Sequence, residues 1–512
     1  MATVTSTFVL DREELDRRCR PRDDHLVREV ESGAAQGENS RRFDVDEGPF
    51  SRYSREISWQ ERPDGGLEAV QRIDFTPALP FFAPLYVMPL RRALPDGVPL
   101  GRQRVWTLPN RLNAGQSSAL AAMCVISLVA GMLYAFLTNV LTFASADIGS
   151  GSAGEQATIT ALTRIGVVIP LVLLAMADRV GRRRVAVGAA VAAVLLAAAS
   201  GLAPTLWVLA ILQTLSRNLG IAAALASDTL VMEELPAGSR AAAAGLGALA
   251  WGAGAGVVVF ALPLAGVGPA GWRLVFAVSL LALPLVVIAA PHLHESHRFV
   301  RAVELASTGV RHRISAWRFA VVGALFFGVN MIVAPSSQLQ NDYLRADRGF
   351  SAGLITVFIV LTSTWGLFGV LAGTRMADRR GRKLVLVPGL VCIGVFIAAF
   401  FWASGPAMWV IAAVGSVFGA LSVPALGVLG TELFPTSRRG QARGGLNALG
   451  TGGAVAGLLL AGALVDRIGY GPAFTWLALA PLVAAMLVLF LPETRGLELE
   501  ALNEDRDAVG GE

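Results

Sequence analysis

The chain has 512 residues, 54% of them apolar and only 16% charged, with a formal net charge of +5 and a mean hydropathy of +0.57. A soluble chain of this length does not carry that balance. Apolar runs of about 20 residues, the length a helix needs to cross hydrocarbon, recur from Ser118 onward, which places the chain among integral membrane proteins. The basic excess does not point to nucleic acid, because the arginines flank apolar runs, where the positive-inside rule expects them. Lys383 is the only lysine, which suggests a GC-rich bacterial genome. Cys19, Cys124 and Cys392 stand too far apart for a metal or redox motif.

Residues 1–116 form a separate region of unknown role, polar from Asp11 to Arg42. Arg52 to Gln60 and Leu67 to Phe75 have β character, and Pro63-Asp64-Gly65-Gly66 between them predicts a β-hairpin. The stretch from Pro80 to Arg92 is apolar and aromatic, but its prolines argue against a regular helix, so it is expected to pack on the hairpin. The hairpin and its apolar tail resemble a fragment of a START-like ligand-binding domain, with too little present to carry a function over.

Twelve membrane spans follow, at 118–143, 157–177, 185–202, 206–230, 240–263, 272–291, 316–338, 351–376, 384–403, 407–430, 443–465 and 472–491. No apolar run precedes residue 118 in signal-peptide position, so the first span is expected to direct insertion. An even number of spans places both termini on one side. Arg182 to Arg184, Arg298 to Arg318, Arg379 to Lys383 and Arg438-Arg439 all follow even-numbered spans, which makes that side the cytoplasm. The expected layout is two six-helix halves, 117–291 and 316–491, joined by a cytoplasmic loop at 292–315 and followed by a cytoplasmic tail at 492–512.

The halves repeat. Ala177-Asp178-Arg179-Val180-Gly181-Arg182-Arg183 returns as Ala377-Asp378-Arg379-Arg380-Gly381-Arg382-Lys383, an offset of 378 − 178 = 200. Gly245-Leu246-Gly247-Ala248-Leu249 returns as Gly445-Leu446-Asn447-Ala448-Leu449 at the same offset. Glu233 and Pro236 return as Glu432 and Pro435 at an offset of 199. Repeated halves around a midplane site are the build of alternating-access transporters.

The Asp-Arg-x-Gly-Arg-Arg/Lys loops after the second and eighth spans resemble the signature of the major facilitator superfamily, although Leu174 and Thr374 stand where that loop usually opens with Gly. Glu432-Leu433-Phe434-Pro435 with Arg439, Glu295-Ser296-His297-Arg298 after the sixth span and Pro492-Glu493-Thr494-Arg495-Gly496 after the last resemble its sugar-porter and organic-ion branch. The resemblance implies an all-α membrane protein of the twelve-helix major facilitator fold. It also implies a gating role for Asp178, Arg179, Gly181, Arg182, Asp378, Arg379, Gly381, Arg382, Glu233, Glu432, Arg439, Glu295, Arg298 and Glu493. The departures count as well: the first span has no acid, and the seventh offers Asn330 and Gln338 in place of the glutamine pair of sugar porters. The fifth span carries Gly252-Ala253-Gly254-Ala255-Gly256 without the proline of drug antiporters, a pattern that first suggests close helix packing. His292, His294, His297 and His312 gather in the central loop, but no Cys joins them and no metal is expected.

Ionisable residues inside a bilayer are costly and are functional candidates by default. Arg164 lies near the middle of the second span and Arg217 near the middle of the fourth, with Asp228 the only acid within the spans as drawn and the candidate for coupling. Arg217 and Asp228 are 11 residues apart, so they share a helix face about 16 Å apart along the axis, and Gln213 joins that face one turn away. Tyr134, Asn139, Asn330, Gln338, Thr362 and Ser363 are further polar candidates, Asn139 and Gln338 being related by 338 − 139 = 199. Arg217, Arg164, Gln213, Asn139, Asn330 and Gln338 are the expected solute contacts. No phosphate loop, nucleophile elbow or zincin motif stands on any span, so neither an enzyme nor a cofactor is expected. The sequence therefore reads as a multi-pass transporter of the bacterial inner membrane, acting as a monomer. It would carry a small polar organic solute, with a carboxylate and a sugar as candidate classes, an anion favoured by the two arginines, and H+ or Na+ as coupling ion. Drug or metabolite efflux, and a sensor that binds without transporting, are the alternatives.

Overall fold

The computed structural model describes residues 2–32, 39–62, 66–99, 107–236, 239–293, 316–432 and 439–491. Residues 2–99 build an antiparallel sheet with two helices: β1 (Ala2–Leu10), α1 (Arg12–Arg18), β2 (Arg28–Ser32), β3 (Ser40–Glu47), β4 (Phe50–Glu61), β5 (Leu67–Pro77) and α2 (Ala83–Ala93), in the strand order β1-β5-β4-β3-β2. The expected hairpin is β4 and β5, paired from Phe50↔Pro77 to Glu61↔Leu67. Burial alternates strictly along β5, which lies between β1 and β4: Leu67, Ala69, Gln71, Ile73, Phe75 and Pro77 all face inward. On that face Leu15 of α1 packs with Phe43, Ile57 and Ala69, and Leu90 and Ala93 of α2 pack with Phe50, Tyr53, Ile73 and Phe75.

Between those clusters lies a fully buried ion pair, Arg55 Nη2 to Glu29 Oε2 at 2.5 Å. A buried charge must be fully hydrogen-bonded to be tolerated. Arg55 also donates to the carbonyls of Arg18 and Arg20 at 2.8 and 2.9 Å, and Tyr53 donates to Glu29 Oε1 at 2.6 Å.

The polar stretch from Asp11 to Arg42 contributes α1, β2 and the start of β3. One expectation needs correction here. The prolines of 80–92 do not prevent a helix: Pro84 sits in the first turn of α2, where its missing N–H is one that no helix uses, and Pro89 is accommodated inside. The helix does pack on the sheet, as expected. The domain is fastened to the first half of the bundle by Arg111, which donates to Asp23 at 2.7 Å, to Glu47 at 3.0 Å and to the carbonyl of Asp24 at 2.6 Å. Phe81 and Phe82 also pack against the core of the bundle.

Among the described residues, twelve helices are long and apolar enough to cross a membrane: Ala114–Ile148, Ala153–Leu174, Arg182–Ser200, Leu206–Glu234, Ala242–Gly266, Trp272–His292, Ala316–Asp347, Ala352–Gly373, Arg382–Trp402, Gly405–Val423, Gly444–Ile468 and Tyr470–Val488. The first opens with a capping box, Asn113 with Gln116. Several helices outrun the apolar runs that announce them. The first carries Asp147, which accepts from Trp272 Nε1 at 2.9 Å, and the seventh carries Asp342, so Asp228 is not the only acid within the spans.

The repeat is visible in three dimensions. Gly181 and Gly381 both turn the chain at positive φ, 109° and 104°, conformations that only glycine adopts readily, between the second and third and the eighth and ninth spans. A Cβ on Gly254 would stand 1.8 Å from the Leu128 carbonyl, and one on Gly453 would stand 2.2 Å from the Phe327 carbonyl. Both partners are related by the same offset, 453 − 254 = 199 and 327 − 128 = 199, so the first and fifth spans pack as the seventh and eleventh do.

The halves meet at the end of the bundle away from the sheet domain. There Asn341 donates to Asn139 Oδ1 at 3.3 Å, Gln156 to Asp342 Oδ1 at 2.8 Å, the Gly154 amide to Asp466 at 3.0 Å and Thr356 to the Val259 carbonyl at 2.9 Å.

Candidate solute site between the halves

The arginine in the middle of the fourth span has an aromatic partner, not an acidic one. Arg217 is 6% exposed, and its guanidinium carbon lies 3.6 Å from the centre of the Tyr134 ring of the first span. A cation over a desolvated ring face gains about 2 kcal/mol, a substantial part of what a central arginine costs in a bilayer, about 2.5 to 3.5 kcal/mol. Arg164 of the second span lies beside the same phenol, so the two guanidiniums flank Tyr134. Trp251 of the fifth span tilts against the same ring at 5.8 Å. Arg217 Nη1 and Arg164 Nε are buried without a hydrogen-bond partner among the described residues. No carboxylate pairs with either arginine there, so two positive charges and two unused donors stand together at mid-bundle. That is an arrangement suited to an anion.

Asp228 lies further along the fourth span, near Cys124 of the first, and its Oδ1 is buried with no partner among the described residues. Gln213 does not join the guanidinium cluster. Its amide donates to Ser200 Oγ of the third span at 2.8 Å, because a residue one helical turn away is also rotated by about 40°, enough to reach a different neighbour. Asn139 belongs to the contact between the halves described above. Asn330 donates to the Phe326 carbonyl of its own helix at 2.9 Å, and Gln338 is buried with Nε2 unpartnered among the described residues.

Of the gating candidates, Arg182 pairs with Glu233, joining the start of the third span to the end of the fourth. Arg382 opens the ninth span after the Gly381 turn. Asp178, Arg179, Asp378, Arg379, Glu432 and Arg439 lie at helix ends whose side chains are outside the described residues, as are Glu295, Arg298 and Glu493 altogether.

Sequence reasoning missed Asp342. It accepts from Gln156 of the second span and from Tyr470 of the twelfth, while Thr142 of the first span donates to Gln156 Oε1 at 3.0 Å. The apolar run of the seventh span ends at 338, so this acid looked like loop; only its neighbours, up to 186 residues away, reveal it.

The profile of the Major Facilitator Superfamily matches residues 119–406 and 319–507, and the chain belongs to that family. It is 25% identical over 341 residues, 62% of its length, to the cis,cis-muconate transport protein of Acinetobacter baylyi, covering 80% of that protein. It is 27% identical over 351 residues, 64% of its length, to a protein of Cupriavidus pinatubonensis named a probable 4-methylmuconolactone transporter, covering 79% of it. In fold it is similar to the xylose transporter of E. coli in an inward-open conformation, with a TM-score of 0.61 over 75% of this chain and 99% of that one at 16% identity. It is thus a multi-pass membrane transporter and not an enzyme.

Proposed function

We propose that the protein carries a small organic carboxylate across the bacterial inner membrane by alternating access, with Arg217 and Arg164 holding the carboxylate and Tyr134 setting their spacing. The observation that carries this reading is the pair of acid-free guanidiniums around one phenol. The muconate transport protein is named for a dicarboxylate and agrees with it. With both termini in the cytoplasm, closure at the end away from the sheet domain describes a state open to the cytoplasm. Asp228, with an unpartnered buried oxygen, is the candidate for taking up the coupling proton, and the Gly181 and Gly381 loops with Arg182 and Glu233 set the balance between states.

The test is counterflow in proteoliposomes with labelled carboxylates and sugars, on the wild type and Arg217→Lys. Lysine keeps the charge and loses the planar fork, so a carboxylate site loses at least about tenfold in affinity with normal expression, the cost of one charge-assisted hydrogen bond. Exchange of a sugar with unchanged affinity in Arg217→Lys overturns the anion reading.

A further inference from the structure

We infer that the second half carries an apolar subsite facing the guanidiniums, so that the transported anion bears an aromatic or alicyclic body. The inference rests on the carboxylate reading above and narrows its substrate class.

The second half contains a cavity of about 550 Å³ among the seventh, eighth, ninth and tenth spans, within the size range of ligand sites. Phe326, Val329 and Val333 line it from the seventh span and Ile393 and Phe396 from the ninth. Apart from the Gln340 amide, the polar side chains reaching it are short, among them Thr362 and Ser416, whose hydroxyls already donate to the carbonyls of Phe358 and Thr362 at 2.7 and 2.8 Å. No charged side chain lines it.

The repeat explains why the space exists. The offset of 199 that relates the first span to the seventh brings Tyr134 onto Val333, and the same offset, fixed by Glu233 and Glu432, brings Arg217 onto Ser416 (416 − 217 = 199). The second and eighth spans are each interrupted once, between Ile165 and Val168 and between Ser363 and Gly366, and lining up the interruptions puts Arg164 level with the short Thr362-Ser363 pair. Val333, Thr362 and Ser416 all line the cavity. The places filled in the first half by a phenol and two guanidiniums are thus held in the second by three small side chains, and the volume left behind is apolar. Because the halves are related by a pseudo-two-fold along the membrane normal, the two places lie at the same depth on opposite sides of the axis between the halves. A solute between them meets donors on one side and an apolar crevice on the other. A small, wholly polar solute leaves the crevice unfilled; a ring-bearing carboxylate fills both.

Thermal stabilisation of the purified full-length protein by benzoate, cyclohexanecarboxylate, acetate, decanoate and benzyl alcohol tests this. In the wild type, benzoate and cyclohexanecarboxylate act at concentrations at least tenfold below acetate, about 1.4 kcal/mol. Val333→Tyr, which places in the crevice the residue the first half has, and Ala420→Phe, which fills it from the tenth span, each bring the ratio of benzoate to acetate effectiveness close to one. Equal action of benzoate and acetate on the wild type, or an unchanged ratio in both folded variants, overturns the subsite. Decanoate acting at lower concentration than either ring compound in the wild type, and losing that advantage in Val333→Tyr, assigns the crevice to an acyl chain and overturns the ring-bearing class. Benzyl alcohol matching benzoate, in the wild type and in Arg217→Lys, overturns the carboxylate reading alone; its loss of effect in Val333→Tyr then still supports the crevice.

Discussion

The two halves share one architecture and differ in what they place at its centre. Both turn on a positive-φ glycine after their second helix and both press a glycine of the fifth helix against a carbonyl of the first. At the midplane the first half holds Tyr134, Arg164 and Arg217 where the second holds Val333, Thr362 and Ser416. Packing positions are thus kept in register because a backbone contact admits only glycine, whereas at the cavity positions side chains of different size and charge are accommodated. The difference teaches that the division of labour in such a transporter is read by superposing its repeats and asking where they disagree.

The largest expected effect comes from making the first half resemble the second. Arg217→Ser removes a charged, partly unsatisfied donor set from the proposed solute site, and carboxylate affinity in counterflow is expected to fall by about 100-fold or more, on the order of 3 kcal/mol, as for truncation of a buried charge partner. A loss confined to protein yield, with affinity intact in what remains, would assign Arg217 to structure. Tyr134→Phe keeps the ring under Arg217 but removes the phenol oxygen beside the two guanidiniums, and an affinity loss of about tenfold is expected if that oxygen orients them through one charge-assisted hydrogen bond. An unchanged affinity would show that the ring alone positions the arginines.

A third prediction asks whether the closed end is held by the acid that the sequence hid. Gln156→Ala removes the donor to Asp342, and spin labels on Ser150→Cys and Arg467→Cys in a background free of Cys19, Cys124 and Cys392 should report a wider distance distribution. The expected population shift is about five- to tenfold, from the loss of a buried hydrogen bond of about 1 kcal/mol. An unaltered distribution would leave the contact of Gly154 with Asp466 as the main closure. The smallest expected difference is between Gly254→Ala and Gly453→Ala. Each forces a methyl against a carbonyl, so both lower thermal stability by similar amounts, about 1 to 3 kcal/mol; a clear inequality would break the equivalence of the halves at that contact.

The Arg217 site was half legible. Its cost in a bilayer singled it out, and Tyr134 was visible as a polar residue of the first span, but that they meet face to face at 3.6 Å depends on the crossing of the first and fourth helices. Gln213 shows the opposite error: helical spacing placed it beside Arg217, and the neighbouring third helix claimed it through Ser200. In the sheet domain the hairpin was legible from its turn and alternation, whereas β2 and β3 carry mostly polar sequence and become strands by pairing, β3 on the hairpin and β2 on β3.

By itself the sequence determined the membrane class, the twelve spans, the repeat and the family, because each rests on local hydropathy or on a motif whose residues are neighbours in the chain. The tertiary structure alone decided which charges lack an acid, which acid joins the halves and where the bundle leaves an apolar void. Those are properties of side chains brought together from different helices, and hydropathy along one helix records how well it dissolves in lipid, not which of its neighbours it will face.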